Sequence, residues 1–411
     1  MNVQQAEAYL LDLELFGMRF GLDRMHKLMT ALDSPQRRFR SVHVVGSNGK
    51  SSTVRMIAAI LERHGIRTGA YTSPHLRSFA ERVEVDERPV GGAEFAAAVA
   101  KVAHAAELVN RHLEPDDRVT QFEALTAAAY WELARRGVEV AVIEAGLGGR
   151  YDATSVIPSE VQVLTNVGLE HTRWLGPTIA DIAGEKLAVV PDGGCLVTGE
   201  LHPDAEAVAR RVVAERGARL IRAPAAAEEP LRALGAFQRR NFALARAAAE
   251  AFLGSLDEPA VERAAAEVEI PGRLQAVGRD PLVLHDGAHN PAGAQALADA
   301  LPEVVGDRPL VGVIGVLDDK DAAGMLRALL PLCSQVVFTR SRNPRSLSPA
   351  TLASLAAKLD GPPAETVADP AAAVERAREL AGPDGAVIAT GSIYLIADLV
   401  RDPAVARAST L

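Results

Sequence analysis

The sequence predicts an α/β protein of two domains, each built on a mostly parallel sheet. Three observations predict it. Short apolar runs alternate with amphipathic helical stretches along most of the 411 residues. Almost every apolar run ends in glycine, hydroxyl or charged residues, so one edge of a sheet collects them. The alternation pauses at Pro271-Gly272-Arg273 and then begins again.

The first helical patterns cover residues 4–16, with Tyr9, Leu10, Leu13 and Phe16 on one side, and residues 22–32. Between them, Gly17-Met18-Arg19-Phe20-Gly21 reads equally as a binding loop or a simple connector. Val42-His43-Val44-Val45 is a buried strand. It runs into Gly46-Ser47-Asn48-Gly49-Lys50-Ser51-Ser52, and an apolar helix follows over residues 54–61. Glycines allow a tight turn that points several N–H groups at one phosphate. The helix adds its positive end and Lys50 a full charge, while Ser51 or Ser52 offers a hydroxyl to Mg²⁺. Only the shorter Gly-x-x-Gly-Lys-Ser form is present, because Val44 stands where the longer motif has glycine.

Residues 68–71 form a second strand, ending in Thr72-Ser73-Pro74-His75-Leu76. A helix covers residues 94–112. Thr120 and Glu123 have the capping-box spacing at the start of a helix over 122–135, a structural reading that competes with any ligand contact. Residues 138–143 form a strand that delivers Glu144 into Ala145-Gly146-Leu147-Gly148-Gly149-Arg150-Tyr151-Asp152. A carboxylate at the C-terminal end of a parallel strand, beside a phosphate turn, suits nucleotide-bound Mg²⁺. The strand 161–165 leads to His171, a candidate metal ligand or a solvated loop histidine. A helix over 179–186, a strand over 194–198 and a helix over 203–216 continue the alternation. Residues 222–235 read as linker, before a helix over 237–252.

After the hinge, strands over 282–285, 310–315, 336–339 and 386–390 lead into Asp286-Gly287-Ala288-His289-Asn290-Pro291, Asp318–Asp321, Arg340–Arg345 and Gly391-Ser392. The reading is therefore a P-loop NTPase-like domain over 1–270 and a smaller Rossmann-like α/β domain over 271–411. Two such polar edges and a hinge suggest a cleft that closes on two substrates.

Composition narrows the function. Charged residues are 24% and the net charge is −9, which argues against a general nucleic-acid or membrane-surface binder. Two cysteines are too few for a disulfide framework and fit a reducing cytoplasm. No apolar run is long enough to span a bilayer.

Taken together, these motifs resemble the bacterial dihydrofolate synthase / folylpolyglutamate synthase group of the Mur ligase superfamily. The resemblance runs in order from Gly21-Leu22-Asp23-Arg24 through the glycine turn, Thr72–Leu76, Phe122-Glu123, Glu144–Thr154, His171–Gly176, Glu185-Lys186 and Pro271–Leu274 to Asp286–Pro291. It implies that Gly46, Ser47, Asn48, Gly49, Lys50, Ser51 and Ser52 bind ATP phosphates, and that Asn241, Arg273 and Asp286 also contact ATP. It implies Mg²⁺ held by Ser73, Glu144 and His171. Lys186 would be a carbamylated lysine, and His289 would stand with Lys50 and Lys186 among the catalytic residues. Thr120, Gln121, Phe122, Glu123, Tyr151, Asp152 and Ala153 match the region that holds the pteroate substrate. Three departures are Ser47, where the family usually has threonine, Ser51, where it usually has glycine, and Leu187-Ala188-Val189 after the lysine.

The implied reaction joins L-glutamate to dihydropteroate or a reduced folate, at the expense of ATP, through an acyl phosphate. Arg340, Arg342 and Arg345 are candidates for glutamate carboxylates, although a solvated basic loop is the expectation for at least two of them. A monomer in the cytoplasm, acting on small molecules, is expected. The rivals are a cell-wall amino-acid ligase, for which little sequence precedes the glycine turn, and a non-catalytic ATP-binding regulator, which has no need of Glu144, His171 and Lys186.

Overall fold

The structure is a computed structural model, and it describes residues 1–13, 21–114 and 116–401. It divides into two compact units. One is Met1–Pro230 with Arg240–Val268, and the other is Leu231–Arg239 with Glu269–Leu411.

The first unit holds eight strands among the described residues. They are β1 (Arg40–Val45), β2 (Thr68–Tyr71), β3 (Val83–Val85), β4 (Arg88–Pro89), β5 (Val140–Glu144), β6 (Val161–Leu164), β7 (Cys195–Thr198) and β8 (Arg219–Arg222). Their order is β4-β3-β2-β5-β1-β6-β7-β8. All pairs are parallel except those of β3 with β2 and with β4. Apolar residues cover both faces of the central strands, which is why these read as unbroken apolar runs. His43, Ala141 and Ile143 share the face packed by the helices Val3–Asp12, Asp23–Ala31, Gly92–Asn110 and Gln121–Arg135. Val45, Leu164 and Leu196 lie by register on the same face, in a separate cluster toward β7, against Ile179–Leu187 and Pro203–Arg216. Leu125 and Leu133, fully buried on the long helix, anchor the first cluster. Truncating either to alanine would cost about 2–5 kcal/mol.

The second unit holds β9 (Gln275–Gly278), β10 (Leu282–His285), β11 (Leu310–Ile314), β12 (Gln335–Phe338), β13 (Ala364–Thr366) and β14 (Ala386–Thr390). The order is β13-β12-β11-β14-β10-β9, with only β9 antiparallel. β14, the last in sequence, lies between β10 and β11, so its alanines and isoleucine are enclosed on all sides.

Several boundaries depart from the expectation. The helix after the glycine turn begins at Lys50, four residues earlier than its apolar stretch, because Gly49 caps it in a left-handed conformation. The first helix ends at Asp12. Phe16 and the Met18-Arg19-Phe20 turn lie outside the described residues. Strands β3, β4, β8, β9 and β13 are absent from the sequence reading. All are short and lie toward a sheet edge; β4, β8, β9 and β13 are half-buried or exposed, whereas β3 is buried but only three residues long. Among the described residues no helix is long and apolar enough to cross a membrane.

Candidate active site

β1 lies between β5 and β6, and this order builds the site. The turn after β1 is flanked on one side by Glu144, in register with Val44, and on the other by Thr165 and Asn166. Gly46 has φ +154° and no room for a side chain, since a Cβ there would collide with the Thr165 hydroxyl. Gly49 has φ +82°, and its Cβ would sit 2.6 Å from Asn241 Oδ1. Asn241 thus closes over the turn. The turn is fixed by bonds that do not involve a ligand. Ser47 N donates to Asn166 O at 3.0 Å and Asn48 N to Asn166 Oδ1 at 2.9 Å. Thr165 Oγ1 and Asn166 Nδ2 donate to Asn48 O at 2.7 and 3.1 Å. Gly168 N donates to Ser47 Oγ at 3.0 Å. Ser52 is buried in the first turn of the helix.

Two cations converge here. Lys50 Nζ donates to Gly46 O at 3.1 Å and Lys186 Nζ donates to the same oxygen at 2.8 Å. Lys186 is buried on the helix Ile179–Leu187. Burial, and then the neighbouring charge of Lys50, lower its pKa to about 7, while Glu170 and Asp152 pull it back upward. Two lysine amino groups on one carbonyl, beside a helix N-terminus, suit an anion.

A carboxylate ends the neighbouring strand. Glu144 is buried; Ser51 Oγ donates to its Oε1 at 3.0 Å and Ser73 N to its Oε2 at 3.0 Å. Ser51, Ser73 and Glu144 therefore meet, and they offer hard oxygen donors of the kind Mg²⁺ takes alongside phosphate and water. His171 opens the short helix Thr172–Leu175 on the β6 side, with φ +54° and its Nε2 3.7 Å from Glu170 Oε1. Among the described residues no three His, Cys, Asp or Glu side chains form a cage by themselves.

The residues matched to substrate divide in two. Thr120 and Glu123 form the reciprocal cap, and the Glu123 carboxylate also receives Arg24 Nε at 3.1 Å. Gln121 is buried and donates to Leu10 O at 2.7 Å. Asp152 is buried, accepts from Leu147 N at 2.7 Å and from Thr154 N at 3.0 Å, and opens the 3₁₀ turn that begins at Ala153. Burial raises the Asp152 pKa, and those hydrogen bonds oppose the rise. Phe122 is half-buried, and its Cζ would lie 2.6 Å from a Cβ on Gly146, so that glycine lets the loop close on the ring. Tyr151 is 46% exposed and is the open member of the set. His43, buried in β1 with Nε2 2.8 Å from Thr154 Oγ1, joins this network; its signal in the sequence was an imidazole inside an apolar strand.

In the second unit, Asp286 follows β10, and its carboxylate accepts from Leu274 N at 2.8 Å and Ala288 N at 2.7 Å. Burial raises its pKa and Arg273 opposes the rise. His289 Nδ1 lies 3.0 Å from Gly287 O. Arg340 and Arg342 are exposed, whereas Arg345 is half-buried and 3.8 Å from Asp319.

Comparisons with known proteins identify the family and the fold. The Mur ligase glutamate ligase domain model matches residues 272–393. The chain is 38% identical to the dihydrofolate synthase/folylpolyglutamate synthase of Mycobacterium tuberculosis, over 83% of this chain and 78% of that one. It is 36% identical to a probable bifunctional folylpolyglutamate synthase/dihydropteroate synthase of Haloferax volcanii, over 97% of this chain but only 50% of that longer protein. The fold superposes on M. tuberculosis folylpolyglutamate synthase complexed with ADP with a TM-score of 0.91, at 34% identity, covering 98% of this chain and 99% of the other. It superposes on E. coli FolC in complex with DHPP and ADP with a TM-score of 0.87, at 27% identity, covering 97% of each chain.

Proposed function

The chain belongs to the dihydrofolate synthase/folylpolyglutamate synthase family of ATP-dependent ligases, and on that premise we propose how its residues join glutamate to a folate. The acceptor is dihydropteroate, a tetrahydrofolate, or both. One oxygen of its carboxylate attacks the γ-phosphorus of ATP; an O–P bond forms, the bond to ADP breaks, and an acyl phosphate results. The glutamate amine then attacks the acyl carbon. A C–N bond forms, the C–O bond to phosphate breaks, and the amine proton leaves with phosphate or solvent.

The observation that carries this reading is the convergence of Lys50 and Lys186 on Gly46 O, beside the neighbouring strand that ends in Glu144. A carboxylate and a triphosphate repel each other. Lys50, with the N–H groups of residues 46–52, holds the phosphates and neutralises charge that spreads during transfer. Bound Mg²⁺ would add charge neutralisation at the phosphates, and Ser73, Glu144 and His171 are proposed to hold it. Lys186 is proposed to be carbamylated. Its pKa of about 7 leaves much of it as the free amine, the form that adds CO₂.

Asn241, beside Gly49, and Arg273 and Asp286 of the second unit are proposed nucleotide contacts, with His289 a proposed catalytic partner. Phe122 and Tyr151 are proposed to face the pteroate, with Thr120, Gln121, Glu123, Asp152 and Ala153 shaping the wall behind. Arg345 is the proposed glutamate contact among the three arginines. The enzyme is proposed to act as a monomer in the cytoplasm.

The test is ADP formation from MgATP and L-glutamate with dihydropteroate and tetrahydrofolate supplied in turn. Turnover with at least one acceptor, dependent on glutamate, is expected. ADP release independent of both acceptors would overturn the reading.

A further inference from the structure

We propose that His43 and Thr154 are positioning residues for the ligase reaction, forming a buried hydrogen-bond relay that sets the glycine loop 145–152 between Glu144 and Lys186. The proposal rests on the reaction described above.

His43 lies on β1, three residues before Gly46, and is almost wholly buried. Its Nε2 is 2.8 Å from Thr154 Oγ1. Thr154 Oγ1 in turn makes a short bond to Asp152 Oδ1, and Thr154 N donates to the same oxygen at 3.0 Å. The other oxygen, Oδ2, receives Leu147 N at 2.7 Å. Tyr130 OH donates to Thr154 O at 2.9 Å and ties the turn to the helix beneath.

The chemistry fixes the direction of this chain. Both Asp152 oxygens already accept backbone N–H groups, so Thr154 donates its single hydroxyl proton to Oδ1. The Thr154 oxygen must then accept from His43, which requires the Nε2–H tautomer. Burial keeps the ring neutral by lowering the His43 pKa to about 4, and the bond to Thr154 then selects the tautomer. The links among His43, Thr154, Asp152 and Tyr130 are buried and the one to Leu147 N is part-buried; in such surroundings a chain of bonds polarises its members and an unmade bond is costly.

The loop so held touches both sides of the site. It starts at Glu144. At Gly149 it packs so closely that a Cβ would lie 2.6 Å from Lys186 O. Arg150 N donates to Glu185 O at 3.0 Å, one residue before the lysine. The Asp152 charge itself acts on Lys186. A strand that ends in the phosphate turn thus also sets the wall on which carboxylate and lysine are spaced.

The experiment uses the full chain and four substitutions. His43→Leu and Thr154→Val break the relay; His43→Gln and Thr154→Ser keep a donor in place. Each broken variant is expected to lose about tenfold or more in kcat/KM for the folate acceptor, the effect of one buried hydrogen bond. The KM for ATP should stay within about twofold, and the conservative variants should recover most of the loss. Hydrogen exchange at Leu147 N–H should accelerate in the two broken variants and not in the conservative ones. If melting temperature falls while acceptor kinetics match wild type, the residues are structural only and the proposal fails. Unchanged exchange at Leu147 in both broken variants also overturns it. A wild-type chain that makes no folate-dependent ADP would instead refute the proposed reaction, and the exchange result would still decide whether the relay exists.

Discussion

The two sheets end alike, in loops of small and polar residues, but they use those residues differently. After β1 and β5 the ionic groups gather at neighbouring strand ends. Lys50 and Lys186 share a neutral carbonyl, and Glu144 is held by neutral donors, Ser51 and the Ser73 amide. After β10, Asp286 is consumed locally, with both oxygens on backbone amides and Arg273 nearby. Asn290, Asp321, Ser348 and Asp369 each cap a helix. Polar clustering alone therefore does not locate chemistry. The centre is where two lysines converge on one carbonyl at a helix N-terminus, and the other edge is chiefly local capping.

Lys50→Met should break the comparison hardest. It should lower kcat by about a thousandfold or more with the melting temperature nearly unchanged, as expected for a preorganised charge acting on the transition state. The pKa of Lys186 should rise in that variant, because Lys50 is one cause of its depression. Steady-state phosphate release and thermal unfolding check both limbs. Glu144→Gln should cost about a hundredfold in kcat and raise the Mg²⁺ concentration needed for half-maximal rate.

On the other sheet, Asp286→Asn should lower stability by about 1–3 kcal/mol, since an amide cannot accept both backbone bonds. Urea unfolding measures this, and a purely kinetic effect would erase the contrast between the edges.

The smallest effect concerns two buried imidazoles, His43 and His285, both lowered by burial to about 4 from 6.5. Between these values the unfolded chain binds more protons, so each contributes stability that is present above pH 6.5 and lost as pH falls toward 4. From pH 7 to 5.5 each should account for about 1 kcal/mol. His43→Leu should also strand Thr154. His285 Nδ1 has no hydrogen-bond partner among the described residues, so His285→Leu should cost less. Equal costs in pH-dependent unfolding would show the His43 bond to be energetically idle.

Interior strands were legible because burial on both faces makes them unbroken apolar runs, as in β1, β5 and β14. Edge strands were not. β8 is Arg219-Leu220-Ile221-Arg222, and only its middle is half-buried. The glycine turn, Glu144 and the Thr120–Glu123 cap were legible because each depends on local spacing. The association of Leu231–Arg239 with the second unit was not, because nothing in its hydropathy marks a long-range contact. Nor was the His43–Thr154–Asp152 chain, which joins residues more than a hundred positions apart through tertiary register. Local chemistry can be read along the chain, whereas the pairing of remote side chains comes from strand order.

The most direct measurement follows an oxygen atom. Dihydropteroate or tetrahydrofolate labelled with ¹⁸O in the accepting carboxylate is turned over with MgATP and glutamate, and the released phosphate is analysed by mass. Activation by phosphorylation at the Gly46–Ser52 turn predicts one ¹⁸O in each phosphate released, and no labelled phosphate from Lys50→Met. Amide formation with unlabelled phosphate, or transfer that survives the loss of Lys50, would contradict the account.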